Sequence, residues 1–475
     1  MPHSAYSKPI LTGLALAALA ILLLPQLQQA SAFFDSGVIE LQAGEFLALP
    51  KNHSLLTNTA NLYPAWGAID GQNHAYYLTF STDQTSQSYP THEFRYRLAV
   101  FNKEQRRIVD RPILIRQSEI GPGMASGDDP AFLTGAEIDG MLYFQMVNPR
   151  LKFLGNHFDP AYMQGFFFKY DPATKTLARL NNLPFADPAG VNAFFPRSFL
   201  ASDGTSLYAG VVTNAVLGYS SLFTYSFYQY DFGSDAWNFL GAGQSSVPLQ
   251  SGIIGHTRNA LVADNKIHWV ANGPDWVHQG CVAMEFDLGT LQLRSQKVAG
   301  CNGNNLAMDY SLVPLGSKLL IYRYGLLHGG AGVIGLEIFS LDKATNVVTR
   351  WPPANNVHLW SQGIGEPFFI DGLNRLDGGK GTYLTGIGFD GSVICEVINT
   401  DVGSTAFVGG QVVVLRNPAT LQVIGSTYTN YQMNLFNHGT LVTESGVFYF
   451  VYKSYEPGVN NYEIGIGRCG EMGAR

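Results

Sequence analysis

The segment SGIIGHTRNALVADNKIHWV, residues 251–270, sets His256, Arg258 and Asn259 between two apolar runs. An imidazole two residues from a guanidinium can take a proton beside a stabilised anion. Cleaving a uronate-containing polysaccharide by β-elimination needs that combination. A cation meets the substrate carboxylate, a base takes the C5 proton, and an acid protonates the leaving oxygen. In this reading Arg197 or Arg258 is the cation, His256 the base, and Tyr310 or Tyr324 the acid. Hydrolysis would use two carboxylates instead, for which Asp129, Asp309 and Glu366 are available.

Two other classes compete with catalysis on sugars. Trp66, Trp276, Tyr324 and Tyr455 are aromatics that could stack on sugar faces in a non-catalytic glycan- or protein-binding site. His157, His256, His278, His328 and His438 could supply imidazoles to an axial divalent metal such as zinc, and carboxylate-bearing loops could take calcium. None of these histidines has a partner at a recognised ligand spacing, so no cofactor is assigned and the metal stays an alternative. The glycine-rich stretches GIGFDG and GGAGVIG precede no helix, which argues against a nucleotide site.

Residues so scattered can share a site only if a repeating frame gathers them. One short pattern recurs six times: AVFNKEQRRI, FFKYDPATKTL, YQYDFGSDAW, AMEFDLGTLQL, IFSLDKATNVV and VVLRNPATLQV. In each, an apolar strand runs into Asn102, Asp171, Asp231, Asp287, Asp342 or Asn417. Such a side chain accepts backbone N–H bonds two residues on and turns the chain back, so each copy predicts a hairpin. Upstream of each lies a second hairpin, often with Asp-Gly at its tip, as in AEIDGMLYFQM and LASDGTSLYAGV. Four antiparallel strands, A to D, therefore recur about every 60 residues, the pattern of a β-propeller. The last interval is the longest, and GFDGSVICEVINT within it reads as an extra hairpin. VFYFVYKSYEPGVNNYEIGIG supplies strands B and C of a further blade, and SGVIELQAGEFLAL near the N-terminus supplies a strand to complete it. The expectation is an all-β, seven-bladed propeller closed by an N-terminal strand.

The YDFGSDAW and YDPATKTL copies resemble the Kelch repeat, in which Tyr-Asp precedes a Trp at fixed spacing. Only Trp237 keeps that Trp, and the double glycine appears only loosely, at Gly329–Gly330 and Gly409–Gly410. The resemblance implies a fold and no function. In a propeller, the connections from D to A and from B to C share one face, around the central channel. There His256, Arg258, Asp129, Arg197, Asp309, Tyr310, Glu366, His438 and Trp66 precede or begin A strands. The B-to-C connections add His157, Trp276, His278, Tyr324 and His328. These residues differ from blade to blade, which favours one asymmetric funnel over repeated lectin sites.

Composition bounds the rest. Hydrophobic residues make up 46% of the 475 residues and charged ones 14%, enough for an extensive core. A net charge of -7 with no basic face argues against nucleic acid as a partner. Lys8, the apolar run ILTGLALAALAILLL and the A-x-A at Ala30 and Ala32 read as a secretory signal over residues 1–32. The expected mature chain, residues 33–475, is a single propeller domain, secreted or periplasmic, monomeric, and without a membrane span. Four cysteines in such a compartment favour disulfides. The blade register pairs Cys281 with Cys301, and Cys395 with Cys469.

Overall fold

The computed structural model describes residues 46–48, 63–83, 93–116, 132–147, 166–181, 198–212, 222–249, 260–272, 281–301, 308–325, 337–345, 347–351, 359–360, 369–370, 382–400, 411–429, 441–443, 445–456 and 459–469. Among them there are strands and turns and no helix. The N-terminal strand β1 (Phe46–Ala48) belongs to the last blade and is taken up there. Blade 1 contains β2 (Tyr63–Asp70), β3 (His74–Asp83) and β4 (Glu93–Asn102), with β5 (Arg107–Asp110) and β6 (Ile113–Arg116) both paired to β4. Pro112, which has no N–H to give a ladder, separates the two outer pieces.

Blade 2 is β7 (Phe132–Ile138), β8 (Met141–Val147), β9 (Phe166–Asp171) and β10 (Thr176–Arg179). Blade 3 follows as β11 (Ser198–Ser202), β12 (Leu207–Val212), β13 (Thr224–Asp231) and β14 (Ala236–Gln244). Blade 4 is β15 (Ala260–Ala263), β16 (Lys266–Asn272), β17 (Cys281–Asp287) and β18 (Gln292–Lys297). Blade 5 is β19 (Met308–Leu315), β20 (Lys318–Gly325), β21 (Glu337–Asp342) and β22 (Val348–Trp351). A two-stranded pair, β23 (Leu359–Trp360) with β24 (Phe369–Ile370), intervenes. Blade 6 is β25 (Thr382–Phe389), β26 (Ile394–Thr400), β27 (Gln411–Arg416) and β28 (Val423–Thr429). In blade 7, β29 (Leu441–Val442), β30 (Val447–Glu456) and β31 (Val459–Arg468) are completed by β1, as expected from the sequence. The seven A strands neighbour one another in cyclic order, β29 returning to β2, so the ring closes.

One expectation is corrected. GFDGSVICEVINT is the ordinary A–B hairpin of blade 6, with Phe389 opposite Ile394. The additional structure in that long interval is instead the β23–β24 pair, between blades 5 and 6.

The turns form for the reasons their residues supply. Each of the six Asp or Asn anchors accepts N–H bonds within its own turn, from Gln105 to Asn102 at 2.7 Å and from Thr290 to Asp287 at 2.8 Å, for example. Four residues after five of them the backbone turns left-handed, at Arg106, Lys175, Asp235, Leu291 and Leu421. In blade 2 the A–B turn needs positive φ at both central residues, and Asp139 (50°) and Gly140 (74°) provide it.

Blades stack face to face, so strand residues alternate between two neighbours rather than between core and water. In β8, Leu142, Phe144 and Met146 join the cluster shared with blade 1, while Tyr143 joins the one shared with blade 3. Both faces being buried explains why the B and C strands read as unbroken apolar runs.

Candidate functional site

Of the candidate site residues singled out in the sequence, five fall on described strands: Trp66, Asp309, Tyr310, Tyr324 and, opposite Asn460 in the hairpin of blade 7, Tyr455. Trp66 lies on β2 and pairs in parallel with Phe132 of β7, joining blades 1 and 2 at the wall of the channel. Asp309 and Tyr324 sit directly opposite each other in the β19–β20 ladder, as Tyr310 does with Arg323. Directly opposed residues have Cβ atoms about 5 Å apart on one face of the sheet. Tyr310 is fully buried and packs with Val270, Cys281, Cys301 and Leu312 between blades 4 and 5. A phenol so placed belongs to the core between these blades. His256, Arg258, Arg197, Asp129, His157, Trp276, His278, His328, Glu366 and His438 lie outside the described residues.

Close to these positions, small polar groups are buried beside the A strands. Gln145 on β8 donates through Nε2 to Ser198 Oγ at 2.7 Å, and both are essentially inaccessible. Thr134 on β7 faces Gln145 in register and is also buried. The bond ties blade 2 to the first residue of blade 3, immediately after Arg197.

Three ionisable clusters that the sequence reading passed over lie within blades or between them. Arg416 on β27 donates from Nε to Glu396 Oε1 on β26 at 2.6 Å, with both side chains at most 2% exposed. Arg416 Nη1 also donates to the Leu421 carbonyl at 3.1 Å. Burial, and then the nearby Glu396 carboxylate, push the Tyr322 phenol on β20 well above the usual tyrosine range, so blade 5 faces this pair with a neutral hydroxyl. In blade 4, Lys266 Nζ lies 2.7 Å from Glu285 Oε1, and the buried His268 ring nitrogen Nδ1 lies 3.9 Å from Glu285 Oε2. Desolvation lowers the pKa of His268, which holds it neutral. Between blades 1 and 2, Tyr76 donates to Glu137 Oε2, and burial followed by that bond raises its pKa strongly.

These clusters fix charge and geometry rather than present it to solvent. The signal that could have found them is a charged or imidazole residue flanked on both sides by strand-core residues, as in ICEVINT, VVVLRN and KIHWV. Among the described residues, no three His, Cys, Asp or Glu side chains are grouped to hold a metal ion. Both expected disulfides are present, Cys281–Cys301 and Cys395–Cys469.

No protein-family model matches the chain, and no curated protein does. Among solved structures, the β-propeller domain of the Trilobed protease from Pyrococcus furiosus is 9% identical, over 85% of this chain and 92% of that one, with a TM-score of 0.42. TolB from Acinetobacter baumannii is 10% identical over 82% and 79%, with a TM-score of 0.33. An α-L-arabinanase from Penicillium chrysogenum complexed with arabinobiose is 10% identical over 71% and 93%, with a TM-score of 0.34.

Proposed function

We propose that this protein is an exported, carbohydrate-active propeller that cleaves an acidic polysaccharide by β-elimination, in one funnel where the D-to-A and B-to-C connections meet. The observation that carries the reading is the pairing of Asp309 with Tyr324 across the β19–β20 ladder, at the end of blade 5 where its A strand begins. The pairing supports a carboxylate position beside a phenol position, which the reading takes as part of the channel mouth. In the mechanism, Arg197 or Arg258 neutralises the uronate carboxylate and acidifies the C5 proton. His256 takes that proton, and Tyr324 protonates the leaving oxygen. Tyr324 takes the acid role because Tyr310 is buried. Asp309 orients the sugar. Residues 1–32 act as the export signal, and the two disulfides support an oxidising destination.

The test incubates the chain from Phe33 onward with uronate polymers and follows the ultraviolet absorbance of the unsaturated product. We expect activity that falls by about 10²–10⁴ in His256→Ala and Tyr324→Phe, the usual worth of a general base or acid. Reducing ends without ultraviolet product would replace elimination by hydrolysis. Glycan binding with no product, retained in His256→Ala, would make the funnel a recognition site.

A further inference from the structure

In blade 7 the B and C strands, β30 and β31, are ten residues each and pair over their whole length, from Val447 opposite Arg468 to Glu456 opposite Val459, as the ten-residue β3 and β4 do in blade 1. Among the described residues, the strands on either side of this hairpin are the smallest in the ring. The A strand β29 pairs with β30 at two positions, and β1 pairs with β31 at three. Among the described residues, five ladder positions (two and three) join this long hairpin to its A strand and to β1.

Its two seams differ as well. Toward blade 1, Tyr449 packs edge-on against Phe101 at 5.5 Å, with Lys103 Nζ 5.8 Å from the same ring, and β1 leads directly into that blade. Toward blade 6 the contact is apolar, with Cys395, Val397, Val413 and Leu415 against Phe448 and Phe450. Gly388 also lies close to Val442 there, since a Cβ on it would be 2.6 Å from Val442 Cγ1 and 3.1 Å from the Val442 carbonyl oxygen. Across this seam runs the Cys395–Cys469 bond, linking residues 74 apart in sequence, from β26 to the residue that follows β31. The other disulfide spans 20 residues within blade 4 and crosses no seam.

We propose that the β30–β31 hairpin is a strap that closes the ring, and that Cys395–Cys469 is its redox-sensitive latch. Two electrons and two protons from a dithiol reductant, itself oxidised to a disulfide, convert the bond into two thiols. Blade 7 then stays tethered to blade 1 through β1 and to blade 6 through the chain between β28 and β29, while its β30–β31 hairpin separates from the face of blade 6 and gives the channel a lateral mouth. Both sulfurs belong to residues at most 1% exposed, so the reductant reaches them only when the seam breathes. The latch therefore responds to sustained reducing conditions.

The test is amide hydrogen exchange on the full chain in four states: oxidised, treated with dithiothreitol and alkylated, Cys395→Ser/Cys469→Ser, and Cys281→Ser/Cys301→Ser. Loss of the 395–469 bond is expected to speed exchange in β29 to β31 by roughly tenfold or more, with blades 2 to 4 unchanged. Loss of the 281–301 bond should leave blade 7 at its oxidised rate. If the Cys395→Ser/Cys469→Ser variant fails to fold, reduction and alkylation of the folded Cys281→Ser/Cys301→Ser protein isolates loss of the 395–469 bond. Unchanged exchange in blade 7 after the 395–469 bond is cut would overturn the proposal. So would acceleration of all blades together, because the ring would then open as one unit.

Discussion

The contact between blades 3 and 4 and the contact between blades 5 and 6 solve the same packing problem with opposite chemistry. Between blades 3 and 4, the Phe227 and Phe286 rings stack at 3.8 Å, and Trp269 packs against Phe199, Tyr225 and Phe227. Between blades 5 and 6, a buried Arg416–Glu396 pair faces the Tyr322 phenol. The first contact is a sum of many small dispersion terms and shrinks gradually when one is lost. The second holds two opposite charges out of water and depends on both partners being present. Their connections differ in the same sense. Blade 3 runs from Gln244 to Ala260 to reach blade 4, whereas blade 5 runs from Trp351 to Thr382 to reach blade 6. The longer connection coincides with the more geometrically demanding contact, in which a pair held within blade 6 faces a phenol of blade 5.

The largest expected effect is on the ionic side. Arg416→Met leaves Glu396 buried without its cation, and should lower stability by about 3–5 kcal/mol. Adding Glu396→Leu removes the stranded charge and should restore most of that loss, because a buried pair is worth little more than an apolar isostere. A double-mutant cycle on urea midpoints reads the difference directly. A cost below about 1 kcal/mol for the single variant would mean that water reaches the pair, and the contrast between the interfaces would collapse.

The aromatic contact should yield less to a single change. Phe286→Leu keeps an apolar side chain in place of the ring and loses the stacking with Phe227, for an expected cost of about 1–2 kcal/mol. A second substitution at Trp269 should not rescue it, unlike the second substitution in the ion pair. Rescue there would show that the aromatic cluster also works as an all-or-none unit.

The legible and illegible parts of this chain divide along a physical line. The six turn anchors could be read because an Asp or Asn bonds its own turn, a local event that distant packing does not alter, and the bonds to Asn102 and Asp287 follow that rule. The disulfides and the closing strand followed once the repeat was in register. The identity of GFDGSVICEVINT was lost because residues 352–381 lengthen the interval before it, and length alone does not say which part of an interval is added. The orientation of Tyr310 was lost for a different reason. With both faces of a blade buried, polarity does not alternate along a strand, so nothing in the sequence tells one face from the other. The same lack of alternation hid Glu396, Arg416 and His268 inside apolar runs.

The smallest expected effect tests whether a buried neutral group behaves as the aromatic contact does or as the ionic one does. His268 is 1% exposed, with Glu285 beside it. Lys343 of blade 5 bonds Asp264 nearby. Desolvation lowers its pKa from the ordinary 6.5, against the pull of Glu285 and with a further push from Lys266 and Lys343. The unfolded chain therefore takes up this proton first. The stability tied to a neutral His268 is complete above pH 6.5 and is lost as pH falls through the window below it, toward the folded pKa. One such group contributes at most about 1.4 kcal/mol per pH unit. His268→Gln should flatten the dependence of the urea midpoint on pH in that window without removing it, because the pKa of His74 is lowered too. The Arg416→Met/Glu396→Leu variant should keep the full slope of His268, since it leaves that imidazole and its neighbours Glu285, Lys266 and Lys343 in place. A slope unchanged in His268→Gln would mean that this imidazole takes up its proton in the folded chain at least as readily as in the unfolded one. The contact between blades 4 and 5 would then belong with the ionic interface.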